Sequence, residues 1–185
     1  NYPIDFFLPG SPEERYNLGF NVAGSKSYAS LSALAGSQAT GVLTVPEASD
    51  VVLTNESSGN TLKGKVVTSY KNSSNVVVAR VTQTISFGVN EKYFVNSILI
   101  ENLSGSTWDS VRYMRNVDPD NARDQGADYT TDNEVIGTIA ADGAAIVRAK
   151  IQYSDRLSTI PANFSSSMAP LLYYSKDSGA RVSSY

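Results

Sequence analysis

Asn75-Val76-Val77-Val78-Ala79-Arg80-Val81-Thr82-Gln83-Thr84-Ile85-Ser86-Phe87 decides the fold class. Ala79, Val81, Gln83, Ile85 and Phe87 alternate with Arg80, Thr82, Thr84 and Ser86. A period of two places one set on each face of an extended chain, and β-branched residues fit that pleated surface better than a helix. The segment therefore reads as a β-strand with one buried face.

The same reading extends outward. Upstream, Lys63-Gly64-Lys65-Val66-Val67-Thr68-Ser69-Tyr70 is a second strand. Downstream, Gly88 and Asn90 turn the chain within Phe87 to Tyr93, and Tyr93 to Glu101 returns as the other arm of a hairpin. Asn102-Leu103-Ser104-Gly105-Ser106 turns again, and Trp108 to Val117 follows as a strand with Val111, Tyr113 and Arg115 on one face. Val135 to Ala140 and Ala144 to Tyr153 form a further hairpin around Ala141-Asp142-Gly143. In the first half, Leu18 to Ala23 and Asp50 to Thr54 read as strands and Tyr28 to Ala35 as a short helix or a loop. Short strands punctuated by turns, without a repeat, predict an all-β, β-sandwich-like single domain over residues 1–185, with short helical or irregular insertions. The Ser- and Pro-rich stretch 156–185 is expected to be an edge strand or a partly ordered tail.

A chain of 185 residues is long enough to bury a two-layer core. No apolar run approaches the roughly 20 residues that a membrane-spanning helix needs. The opening Tyr2-Pro3-Ile4-Asp5-Phe6-Phe7 reads as the start of a module excised from a longer protein. A net charge of −3, with the 15 basic residues scattered, disfavours a nucleic-acid surface, which needs clustered Lys and Arg.

Histidine and cysteine are both absent. That excludes nucleophile–histidine catalysis, His- or Cys-ligated zinc and disulfides, and it is a composition in keeping with an exported protein that avoids thiols. No phosphate-binding glycine loop is present in its strand-to-helix context. Carboxylate chemistry is what remains.

Five acids fall within fifteen residues at Asp118, Asp120, Asp124, Asp128 and Asp132, and only Arg123 opposes them. Crowded carboxylates repel one another. A hard cation with six to eight oxygen ligands relieves that repulsion, so Ca²⁺ is the expected cofactor. The spacing is not that of an EF-hand, since Ala122 stands where an acid or Asn would be needed and no Glu occupies the twelfth place. The alternative is a solvated loop of Asx turns in which Gly126 supplies positive φ. Arg112 and Arg115 precede this segment and pair either with its acids or with an incoming anion, or else lie on the surface of a sandwich strand. Trp108 reads as core filler in preference to a sugar platform, because it stands just after a turn at the start of an alternating strand. Asn-x-Ser triplets at Asn55, Asn72, Asn102 and Asn163 are expected by chance in a chain so rich in Ser and Asn.

The run Val111-Arg112-Tyr113-Met114-Arg115-Asn116-Val117-Asp118-Pro119-Asp120, followed by Gly126-Ala127-Asp128-Tyr129-Thr130-Thr131-Asp132-Asn133-Glu134-Val135, resembles the peptide-binding domain of bacterial RTX adhesins. The opening Phe6-Phe7-Leu8-Pro9-Gly10-Ser11-Pro12-Glu13-Glu14-Arg15 is similar in flavour, and the likeness is strongest over Val76 to Val135. The resemblance implies a calcium-containing, β-rich module, not an enzyme, secreted or held at a bacterial cell surface. Such a module captures the C-terminal peptide of proteins on another cell, and it is expected to be a monomeric part of a longer chain without membrane insertion. Asp118, Asp120, Asp124, Asp128 and Asp132, with the Gly126 carbonyl, are then the expected metal ligands. Arg112, Arg115 and Asn133 are the expected ligand-binding residues. A peptide carboxylate would complete an open calcium shell, the metal inverting the sign of the acidic loop.

Three other functions remain open on the sequence. A calcium-dependent carbohydrate-binding module would use sugar hydroxyls as the completing ligands, and a structural extender domain would hold calcium for rigidity alone. A two-carboxylate glycosidase ranks last, because the acids cluster on one loop instead of on facing elements.

Overall fold

The structure, a computed structural model, describes residues 13–30, 43–44, 46–118, 131–139, 144–151 and 171–175. The protein is all-β and sandwich-like, with one short 3₁₀ turn at Ala48–Asp50 among the described residues. Its strands are β1 (Glu13–Val22), β2 (Ser25–Ser30), β3 (Val51–Asn55), β4 (Thr61–Lys71), β5 (Val77–Gly88), β6 (Val95–Asn102), β7 (Asp109–Asp118), β8 (Thr131–Ile139), β9 (Ala144–Ile151) and β10 (Leu171–Ser175). Two compact units divide the chain: Arg15–Arg115, and Asn1–Glu14 together with Asn116–Tyr185.

In the Arg15–Arg115 unit the alternating segment becomes β5, flanked antiparallel by β4 and β6 in a sheet of order β3-β4-β5-β6. A second sheet has the order β2-β1-β7. Tyr16, Leu18 and Phe20 of β1 meet Tyr70 of β4, Ala79 and Val81 of β5, and Leu43 in one buried cluster. Ile98 and Ile100 of β6, Tyr113 of β7 and Trp108 just before β7 pack against it. Both sheets thus turn one apolar face to a common core, the arrangement that alternation with period two requires.

Turn chemistry sets the registers. Ala23 (φ 48°) and Gly24 (φ 80°) link β1 to β2 as a two-residue turn, with Val22 opposite Ser25. Positive φ at both central positions is the hairpin geometry that matches strand twist. This turn makes Ser25–Ser30 a strand, so the expected helix or loop beginning at Tyr28 is corrected: Tyr28 pairs with Gly19, and pairing to β1 overrides the weak propensity of a Ser-rich segment. Residues 31–35 of that expectation lie outside the described residues. Between β4 and β5, the Asn72 side-chain oxygen accepts from the Ser74 and Val76 N–H groups at 3.0 Å each. At the next hairpin, a Glu91 carboxylate oxygen accepts from the Gly88 N–H at 2.9 Å.

The other unit carries the sheet β10-β9-β8, antiparallel throughout. Ile139 pairs with Ala144 across the expected hairpin, whose turn lies outside the described residues. Leu171–Ser175 adds an edge strand inside the segment read as an edge strand or tail.

Candidate functional site

β7 is the element that leads into the acidic segment. Along it Tyr113 and Arg115 are half-buried, whereas Arg112 and Met114 are exposed. The two arginines therefore stand on opposite faces of one strand, as their odd separation demands. The Tyr113 ring stacks on Tyr16 with centroids 5.3 Å apart. The Arg115 Nη1 donates to the Tyr113 hydroxyl at 3.2 Å, and with the Asn96 amide oxygen turned toward it the guanidinium also donates to that side chain of β6. Arg115 thus spans from β7 to the facing sheet. Arg112 forms no ion pair among the described residues and keeps its guanidinium in solvent.

Tyr70, fully buried, donates its hydroxyl to Tyr16 at 3.0 Å. Burial pushes the Tyr70 phenol far above its ordinary value, with the neighbouring Tyr16 adding to the shift. Tyr113 moves the same way, again chiefly through burial and then through Tyr16. Phenols so placed stay neutral while the fold lasts. They serve as a satisfied polar seam through the core.

Asp118 closes β7, and Asp132 and Asn133 lie on β8 in register with Lys150 and Ala149. Asp120, Asp124, Gly126 and Asp128 lie outside the described residues. Among the described residues no group of three or more carboxylates is close enough to hold a metal ion. No described helix is long and apolar enough to cross a membrane.

Trp108 packs as the sequence suggests. Its ring stacks on Phe20 with centroids 3.7 Å apart and an interplanar angle of 8°, and its Nε1 donates to the Ser104 hydroxyl at 3.0 Å. The indole also borders an open groove of about 570 Å³ formed with Ile100, Asn102, Ser106, Thr107 and Val111. Sequence reasoning missed Asn96 as the Arg115 partner, since nothing local announces a contact between strands of different sheets. It missed equally the two ion-pair clusters beside β3: Asp50 with Lys71, and Glu56 with Lys63 and Lys65.

Comparison of the chain with known protein families, curated proteins and solved structures finds no match.

Proposed function

We propose that this chain is a calcium-dependent peptide-binding module of a bacterial surface adhesin, without enzymatic activity, that captures the C-terminal carboxylate of proteins on a target cell. The observation that carries the reading is the placement of five acids between the end of β7 at Asp118 and the first residues of β8, with Arg123 alone opposing them. A run of carboxylates from the end of one strand to the start of the next offers many oxygen ligands, most of them on the connection and two at the strand ends. In this reading Asp118, Asp120, Asp124, Asp128 and Asp132, with the Gly126 carbonyl, supply ligands to Ca²⁺, and an incoming carboxylate completes the shell. Arg112, exposed on β7, is better suited to receive a soluble anion than Arg115, whose guanidinium already serves Tyr113 and Asn96. The resemblance over Val76 to Val135 supports the peptide and the cell-surface setting; the acids support the cation.

A Ca²⁺ titration of the chelator-treated chain tests the metal half. Saturable binding that Asp124→Asn with Asp128→Asn weakens by at least about tenfold supports it. No heat, or binding indifferent to both substitutions, contradicts it. The Trp108 groove is the feature that favours the carbohydrate alternative, and glycan-array binding abolished by Trp108→Ala would select that reading instead.

A further inference from the structure

Among the described residues β3 is an edge strand that pairs with β4 along one side only, and all five of its residues, Val51-Val52-Leu53-Thr54-Asn55, are exposed. Val52 is 58% and Leu53 76% accessible. Natural edges are usually blunted by a lysine, a proline, a bulge or a covering element. β3 contains no charge and no proline, and its register with β4 is unbroken.

The strand is nevertheless held firmly at both ends. At its start the Asp50 carboxylate pairs with Lys71 and accepts from the Glu47 N–H at 3.1 Å. At its finish Glu56 pairs with Lys63 at 2.9 Å and Lys65 at 3.1 Å, and the Asn55 side-chain oxygen accepts from the Ser57 N–H at 3.0 Å. An exposed strand already fixed in extended form loses little further entropy when another strand adds to it.

We infer that β3 pairs antiparallel with β3 of a second copy of this chain, joining two four-stranded sheets into one continuous sheet. Charge complementarity selects this occupant. Glu47, Asp50 and Lys71 leave the start of β3 with one net negative charge, while Glu56, Lys63 and Lys65 leave its finish with one net positive charge. Antiparallel pairing brings each start beside the other copy's finish. A two-fold register centred on Leu53 sets Leu53 against Leu53 of the second copy, Val52 against its Thr54 and Val51 against its Asn55. No like charges face each other within the strand; the central pairs are aliphatic or β-branched, and only the outer Val51–Asn55 pairs are mixed apolar and polar. Five residues form a small interface, so the dimer is weak and concentration-dependent. This pairing is independent of calcium and peptide capture and departs from the monomer expected from the sequence.

Sedimentation velocity of the full chain over a wide concentration range, with Val52→Lys and Leu53→Lys alongside, tests it. Both side chains are exposed, so an unchanged melting temperature confirms that the variants fold. The expected result is a reversible dimer in the parent chain, weakened about tenfold or more by each lysine and by added salt. Hydrogen exchange over 51–55 should slow as concentration rises. Three results would overturn the inference: a monomer at every concentration, a dimer that survives both lysines, or slow exchange in the monomer at the outward-facing amides of Val51, Leu53 and Asn55, which would show the edge already covered by the chain itself.

Discussion

The Tyr70 hydroxyl donates to the Tyr16 hydroxyl at 3.0 Å, tying β4 of one sheet to β1 of the other through the centre of the core. A buried phenol that loses its partner pays the desolvation of an unmatched polar group. Tyr70→Phe and Tyr16→Phe should each lower unfolding free energy by about 1–3 kcal/mol, measured by urea denaturation at neutral pH. The pH dependence has a definite sign. The raised Tyr70 and Tyr113 values mean that the native state holds these protons more tightly than the unfolded chain does. Their contribution is therefore complete below the unfolded tyrosine value of about 10 and declines as pH rises beyond it. Tyr70→Phe should flatten that alkaline decline.

Asp50 behaves oppositely. The hydrogen bond and charge of Lys71, with the Glu47 N–H, hold its carboxyl below the usual range, and Lys63 and Lys65 do the same for Glu56. A depressed carboxylate contributes stability that is present above its unfolded value, near 4, and lost as pH falls through the folded one. Melting temperature should drop in the acid range for the parent chain, and the drop should be shallower in the double variant Asp50→Asn with Glu56→Gln. An unchanged acid profile would show that neither cluster is coupled to folding.

Ala23 adopts a positive φ of 48° with a side chain that disfavours it. Asn tolerates this conformation through its short polar side chain. Ala23→Asn should stabilise the chain by about 0.5–1 kcal/mol, and Ala23→Val should destabilise it by at least as much, both read from thermal denaturation.

Leucines separate core from edge. Leu18 is fully buried and Leu53 is 76% exposed. Leu18→Ala should cost about 2–5 kcal/mol. Leu53→Ala should change stability by no more than about 0.5 kcal/mol at low protein concentration. Equal losses at the two sites, in chemical denaturation, would contradict the assignment of the core.

Much of this architecture is legible in the sequence, and what is hidden has a physical reason. β4 to β7 declare themselves through β-branched and aromatic residues, with apolar side chains recurring at alternate positions most clearly in β5, and β8 and β9 follow from similar runs around a turn. β2 has no such pattern: Ser25-Lys26-Ser27-Tyr28-Ala29-Ser30 becomes a strand because Ala23-Gly24 folds it back on β1. The pairing of β1 with β7 joins residues far apart in the chain, so no local signal carries it. Arg112 and Arg115 are conspicuous in the sequence, yet only the strand geometry separates an exposed arginine from one engaged by Tyr113 and Asn96. The acidic run is the reverse case. Its charge is evident from composition, while its ligand geometry depends on backbone carbonyls and loop closure that residue types do not encode.

Peptide capture through calcium is tested most directly by isothermal titration of a short free-acid peptide into the full chain, with calcium and again with excess chelator. The expected result is saturable binding with calcium, abolished by chelator and absent for the same peptide with an amidated C-terminus. Equal affinity in chelator, or equal affinity for the amidated peptide, would contradict the account.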